Sequence, residues 1–328
     1  MAVMRASAFS DMFGARHELL TSHARFDGPV HVTSLLDAPL ARLAELEVLL
    51  TGWDAPRLTR EVLELLPRLR AVIHCGGTVR GIVSDDLWRR NILLTSLPDT
   101  NAVPVAEFTF ASIVLAGKRA HVLASRARAM RADWSYVSEW GPIGNVGRII
   151  GVVGFSRIGK RVVQLVQNLT DVTCLVVDPY ARPDDVALAG GRLVGLEEML
   201  PVVDTLSLHA PATPETYHLI GAGELALLRD HTTLINTARG TLVDTAALEA
   251  ECATGRIHAL LDVTDPEPLP HDSPLYDLPN VTITPHIAGS MGSEMALLAD
   301  AAVAQLAAYS RGEKLPGRVD RATVAISA

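Results

Sequence analysis

The sequence predicts an α/β protein made of two doubly wound parallel-sheet domains. Three observations lead there. The 328 residues exceed the size at which a single hydrophobic core keeps growing, so two domains of roughly 150 residues each are expected. Short apolar runs alternate with amphipathic segments of helical period, which is the rhythm of βαβ units. Most of these runs also carry few charges, as strands do when helices cover both faces of their sheet.

The elements follow in chain order. A first series holds VHVTSLL from Val30, VLLTGW from Val48, LRAVIHCGG from Leu69 and ILLTSLP from Ile92, with amphipathic segments such as LTREVLELL between them. Residues 106 to 134 then read as one long helix, apolar at its start and basic later, and a polar stretch with Gly141, Pro142, Gly144 and Gly147 follows as a bridge. A second series begins with IIGVVG at Ile149 and runs through VTCLVVD, TLSLHAP, TTLINTAR, HALLDVT and VTITPH, which ends at His286. The segment MALLADAAVAQLAAYSRG reads as a final helix with no strand after it, able to return to the first domain.

Composition narrows the function. An apolar fraction of 48% and a charged fraction of 20% suit a globular protein with a sizeable core. The net charge of −8 provides no basic field for nucleic acid or anionic lipid, so a small molecule is the expected partner. No run of about 18 apolar residues suggests a membrane span, and the N-terminus lacks the pattern of a signal peptide. Cys75, Cys174 and Cys252 are scattered and odd in number, so neither a disulfide framework nor a metal site is expected. The cytoplasm is the expected compartment.

The first chemical motif is Gly154-Phe155-Ser156-Arg157-Ile158-Gly159, set between a strand pattern and the helical KRVVQLVQNL. Glycines allow the tight turn and the close packing of helix on strand, and the N–H groups at the helix start favour a diphosphate. Ser156 replaces the middle glycine of GxGxxG and puts a side chain where backbone should approach the phosphates. Asp178 ends the next strand, where a carboxylate can accept from the ribose hydroxyls of NAD and disfavour the extra phosphate of NADP. Arg182 nearby leaves NADP as the lesser alternative. Asp178 also reads as a strand-end acid opening the turn DPYARPDD.

From about residue 50 the chain resembles the D-isomer-specific 2-hydroxyacid dehydrogenases. The resemblance rests on VAE at Val105 to Glu107, the glycine turn, LHAPATPET at Leu208 to Thr216, INTARG at Ile235 to Gly240, LDVTDPEPLP at Leu261 to Pro270 and NVTITPHIAG at Asn280 to Gly289. It implies that Arg239 binds the substrate carboxylate, that His286 is the acid/base, and that Glu267 hydrogen-bonds this histidine. Gly154, Ser156, Arg157, Ile158, Gly159, Asp178, His209, Pro211, Thr216, Thr237, Ala238, Asp262 and Gly289 would lie along the cofactor. Gly76, Gly77 and Thr78 would grip the acid's carboxylate. Trp53, at the end of the TGWD strand, reads either as a cover for the substrate or as a partly buried core residue.

The resemblance also implies a Rossmann-like architecture. A discontinuous substrate domain would comprise residues 1–102 and 291–328, and an NAD-binding domain residues 103–290, with domain closure about hinges near 100–104 and 288–292. A homodimer would form through the long helix after Glu107. Two departures concern the substrate pocket: GTVRGIVSDD lacks the family's usual Asp beyond the carboxylate loop, and Thr264 stands where an aromatic residue is common. The expected activity is interconversion of a D-2-hydroxy acid and its 2-oxo acid. The alternative is an NAD-sensing binding module of the co-repressor kind. Formate oxidation fits less well, because the related formate enzymes carry Gln at the position of Glu267.

Overall fold

Runs poor in charge become strands sealed on both faces: AVIH at Ala71–His74 and TLIN at Thr233–Asn236 are buried at every position. The computed structural model describes residues 1 to 26 and 30 to 324. Met1–Ala102 and the stretch from Ser290 onward form one compact unit, and Val103–Gly289 forms another.

The first unit contains β1 (Ala2–Val3), β2 (His31–Val32), β3 (Val48–Thr51), β4 (Ala71–His74) and β5 (Leu93–Thr95), with helices α1 (Ala6–Phe13), α2 (His17–His23), α3 (Leu40–Ala44), α4 (Arg60–Glu64) and α5 (Asp85–Arg89). Helix α6 (Pro98–Gly117) leads out of it into the second unit, which continues with α7 (Ala120–Met130), β6 (Ile149–Val153), α8 (Arg157–Val166), β7 (Thr173–Val177), α9 (Pro183–Leu188), β8 (Arg192–Leu193), α10 (Leu196–Met199) and β9 (Thr205–Leu208). It ends with α11 (Ala222–Leu227), β10 (Thr233–Asn236), α12 (Thr245–Ala253), β11 (His258–Leu261) and β12 (Val281–Ile283). The chain then completes the first unit with α13 (Met295–Ser310), β13 (Arg318–Val319) and α14 (Arg321–Val324).

The strand order is β13-β5-β4-β3-β1-β2 in the first sheet and β12-β11-β10-β9-β6-β7-β8 in the second. All pairings are parallel except β13 with β5. The strand order therefore reverses between β1 and β3 in one sheet and between β6 and β9 in the other. Crevices outside the carboxyl ends of the strands at such switch points are where α/β sheets bind ligands. Leu206, Leu208, Leu234 and Leu261 anchor the core on one side of the second sheet. Val152, Val163 and Val176, with Ala106, Ile113 and Ala116 of α6, fill the other cluster.

Four expectations are corrected in detail. Of VHVTSLL only His31–Val32 pairs as a strand, because Ser34 and Asp37 form a capping box and wind the next residues into a 3₁₀ turn. The expected long helix is two helices, broken where Arg119 takes a left-handed φ of 52°. A strand does follow the last helix, since Arg318–Val319 pairs with β5. Finally, α6 is long and apolar enough by composition to cross a membrane, with mean hydropathy 1.2, yet Ala106, Ile113 and Ala116 make it a core helix of the second unit.

Candidate active site

At the β6–β9 switch point, Gly154 has φ +96°, and a Cβ there would lie 2.5 Å from the Ala210 nitrogen. A Cβ on Gly159 would lie 2.0 Å from the Gly154 carbonyl oxygen. The two glycines thus let α8 press onto β6, with the residues after β9 packed against the turn. Ser156 caps α8, its Oγ accepting the Gly159 N–H at 3.3 Å. Its side chain is therefore turned back onto the helix instead of standing out from the turn. Arg157 and Ile158 open α8, and the start of a helix is a position that favours a negative charge.

Asp178 serves two turns. Its Oδ2 accepts the Phe155 N–H at 2.7 Å, while Oδ1 accepts the N–H groups of Tyr180 and Ala181 at 2.8 and 3.1 Å. One of its two sequence readings, the acid that opens the turn after β7, describes these bonds, and the same carboxylate also holds the glycine turn, which that reading did not include. His209 lies beneath, its Nε2 2.9 Å from Ser207 Oγ. Its Nδ1 is buried with no hydrogen-bond partner, and burial pushes the imidazole pKa down to about 3. Thr216 Oγ donates to the Pro211 carbonyl at 2.6 Å and folds the loop after β9. A cradle that a Cβ would fill, a helix start and an unsatisfied buried nitrogen together fit the diphosphate and adenosine end of NAD.

The three adjacent strands β10, β11 and β12 end in the loops that carry the other candidates. After β10, Asn236 Oδ1 accepts the Ala238 N–H at 3.1 Å and its Nδ2 donates to the Arg239 carbonyl at 2.9 Å. This asparagine was not foreseen as a site residue. Its strand-end position in INTARG is the signal, since an Asn side chain there can replace backbone partners in a turn. Thr237 Oγ meets Thr109 Oγ of α6 at 2.8 Å, and the half-buried Arg239 donates from NH1 to the Ala238 carbonyl at 2.5 Å.

The loop after β11 packs directly on this turn: a Cβ at Gly240 would lie 2.0 Å from the carbonyl carbon of Thr264. Asp262, only 3% exposed, then shapes the third loop. Its Oδ1 accepts from Thr284 Oγ at 2.6 Å and from the Ile287 N–H at 2.9 Å, and its Oδ2 accepts the Ala288 N–H at 2.9 Å. His286 is left-handed at φ 52°, and its N–H donates to the carbonyls of Asp262 and Thr284 at 3.0 and 2.9 Å. A non-glycine residue in that region is uncommon and costs energy that the surrounding bonds must offset.

The result is a defined pair. His286 Nδ1 lies 2.6 Å from Glu267 Oε1, with both side chains about half exposed. An ionised carboxylate can only accept, so Nδ1 carries the hydrogen and Nε2 is left as the site that takes or gives a proton.

A family model described as "D-isomer specific 2-hydroxyacid dehydrogenase, NAD binding domain" matches residues 112–288. The chain belongs to the D-isomer-specific 2-hydroxyacid dehydrogenase family. Glyoxylate reductase of Korarchaeum cryptofilum is 33% identical over 272 residues, 81% of this chain and 80% of the relative. D-3-phosphoglycerate dehydrogenase of Methanocaldococcus jannaschii is 31% identical over 276 residues; the match covers 84% of this chain but 52% of that longer protein. The D-lactate dehydrogenase of Aquifex aeolicus, solved with NAD and lactic acid, superposes with a TM-score of 0.75 at 28% identity and covers 95% of each chain. The family member described here is an oxidoreductase of 2-hydroxy acids with NAD as its cofactor.

The remaining candidates belong to the first unit. Trp53 follows β3 at the β1–β3 switch point, 37% exposed, and its carbonyl accepts the Arg5 N–H at 2.8 Å. Gly76, Gly77 and Thr78 follow β4 and rest on the buried His74, whose Nε2 would lie 2.8 Å from a Cβ on Gly76. His74 Nδ1 is 3.0 Å from Thr51 Oγ, and burial pushes its imidazole down to about 4. The three glycine-turn, Arg and His–Glu motifs are thus brought to the carboxyl edge of one sheet. Trp53 and the Gly76 loop occupy the corresponding edge of the other.

Proposed function

We propose that this chain interconverts a D-2-hydroxy acid and its 2-oxo acid, with Arg239 holding the carboxylate and His286, supported by Glu267, moving the proton. The observation that carries this reading is the 2.6 Å contact between His286 Nδ1 and Glu267 Oε1, on a loop braced by the buried Asp262 carboxylate. When bound, the cofactor would supply the hydride to the carbon of the 2-oxo group as NADH, or accept it as NAD⁺ in the reverse direction. In reduction His286 Nε2–H gives its proton to the carbonyl oxygen, and in oxidation neutral Nε2 takes the hydroxyl proton. Glu267 offsets the charge of the imidazolium and fixes the ring plane.

Arg239 suits a carboxylate because its planar fork keeps its charge and offers paired donors. Along the cofactor we assign the turn from Gly154 to Gly159, Asp178, His209, Pro211, Thr216, Thr237, Ala238 and Gly289, with Asp262 acting through the loop it holds. Gly76, Gly77, Thr78 and Trp53 are assigned to recognition of the acid. We also assign the chain to the cytoplasm, where its three buried thiols, each held near a pKa of 12 by burial, would stay reduced. A homodimer formed through α6 and the residues after it would cover the exposed apolar side chains Leu115, Met130, Trp134, Ile143 and Val146.

The test is a panel of 2-oxo acids, including glyoxylate, hydroxypyruvate, 3-phosphohydroxypyruvate and pyruvate, with NADH and NADPH, followed by the absorbance of the reduced nicotinamide. Turnover with NADH on at least one acid is expected. Tight NADH binding with no turnover of any acid would return the chain to the binding-module reading.

A further inference from the structure

The amino ends of β10, β11 and β12 lie at the opposite edge of the second sheet from the Arg239 and His286 loops. A small pocket open to solvent lies there, lined by Arg119, His121, Thr233, His258, Asn280 and Leu115 among others. Its two cationic or potentially cationic interior side chains are 5% exposed each, Arg119 and His258. Both hold a buried nitrogen with no hydrogen-bond partner, Nε of Arg119 and Nε2 of His258. A buried donor left unsatisfied is costly, and a charged one more so, so a built pocket that ends in two such nitrogens is short of an acceptor.

The charges around the pocket have one sign in excess. Arg119 is held by its NH1, which donates to Thr233 Oγ at 3.0 Å, and that hydroxyl keeps its own hydrogen to donate. His258 packs between the Trp140 and His231 rings, with centroids 5.9 and 6.3 Å away. Trp140 Nε1 and His231 Nδ1 are also buried without partners, and Arg126 lies 5.2 Å above the Trp140 ring. The nearby acid is Asp204, which is already shared by Arg148 and Arg229 at 3.2 and 2.9 Å and by the Ile149 N–H at 2.8 Å. Burial and Arg148 lower the Arg119 pKa to about 10, and burial, Arg119 and His231 lower that of His258 to about 3. An anion would relieve both.

We propose that this pocket is a binding site for a small oxyanion, a free carboxylate or phosphate group, held by Arg119, by His258 in its Nε2–H form and by the Thr233 hydroxyl. Arg119 is carried to this position by the left-handed turn that breaks α6 from α7. The strands β10 and β11 lead from Thr233 and His258 to the Arg239 turn and Asp262. At about 3.3 Å per residue the two edges are more than 10 Å apart, so the site is separate from the catalytic one.

The probe is inorganic phosphate added to the full chain saturated with NADH, with sodium chloride at equal ionic strength as the control. Phosphate at millimolar concentration is expected to raise the melting temperature saturably by about 2 °C, and chloride is expected not to. Arg119→Met and, independently, His258→Gln should abolish or weaken the phosphate effect by about tenfold in concentration, Arg119→Lys should keep part of it, and Arg239→Gln should keep all of it. The proposal is overturned if the wild type shows no saturable effect, if chloride reproduces it, or if Arg119→Met and His258→Gln both retain it. It is equally overturned if Arg119→Met converts an oligomer to a monomer without any phosphate effect in the wild type, since the missing acceptor would then be a carboxylate of a second copy.

Discussion

The buried carboxylate of Asp262 accepts the Ala288 N–H at 2.9 Å. With its bonds to Thr284 and Ile287, this contact fixes the backbone on both sides of His286, so an acid at the end of β11 determines where the imidazole next door can stand.

Asp262→Asn removes the charge and half of the accepting capacity. It should destabilise the protein by about 2–3 kcal/mol, and it should lower kcat/KM because the His286 loop is released. Urea unfolding and steady-state kinetics check both. Unchanged kinetics in a folded variant would detach Asp262 from the histidine.

His286→Ala should lower the reduction rate by about 10²–10⁴-fold while NADH binding stays nearly unchanged. Glu267→Gln should cost less, on the order of 10-fold, because the ring keeps a hydrogen-bond partner but loses the charge. Stopped-flow hydride transfer and NADH fluorescence titration separate the two effects. Full activity in the alanine variant would remove His286 from the chemistry.

The glycine turn separates steric from capping roles. Gly154→Ala must place a Cβ 2.5 Å from the Ala210 nitrogen at φ +96°, so loss of NADH binding together with a lower melting temperature is expected. Ser156→Ala should cost about 1 kcal/mol through the lost helix cap, whereas Ser156→Gly should cost only a few tenths. Equal melting temperatures for wild type and Ser156→Ala would show that the cap contributes nothing.

Acid should weaken the fold in a definite window. His74, His209 and His258 have their pKa values lowered from 6.5 to about 4, 3 and 3, so below about pH 6.5 the unfolded chain binds protons that the folded chain refuses. Their contribution is intact above that pH and is lost as pH falls towards the folded values. The slope is at most about 4 kcal/mol per pH unit for all three together. Urea midpoints at pH 7 and pH 5 measure it; equal midpoints would mean that these rings are not buried in the neutral form.

Much of this was legible in the sequence because the strands are apolar runs of clear length. Asp262 and His286 stand at the ends of such runs, where side chains enter loops; Asn236 stands at one too, but its bonds to the Arg239 turn were not read from the sequence. The role of Ser156 was half legible: its place in GxGxxG signals a departure, but only the helix geometry shows its hydroxyl accepting the Gly159 N–H. The break at Arg119 was signalled in the sequence only by Gly117, a single glycine inside an otherwise helical pattern. Arginine is a good helix former, and its left-handed backbone is set by tertiary bonds, among them the Arg119 NH1 contact to Thr233 from far along the chain. The two-residue β13 was too short to show any period. Its pairing comes from the edge of β5.

The return of α13 to pack on α1 and α2 and the pairing of β13 with β5 have a consequence for synthesis. As the chain leaves the ribosome, the amino-terminal sheet emerges first but lacks its last helix and edge strand until everything up to Gly289 has been made. The intervening unit is contiguous in sequence and can finish early, as domains generally fold as units. The part that begins first is therefore completed last, and during that interval the apolar surface awaiting Leu298, Ala302 and Leu306 is open to chaperones.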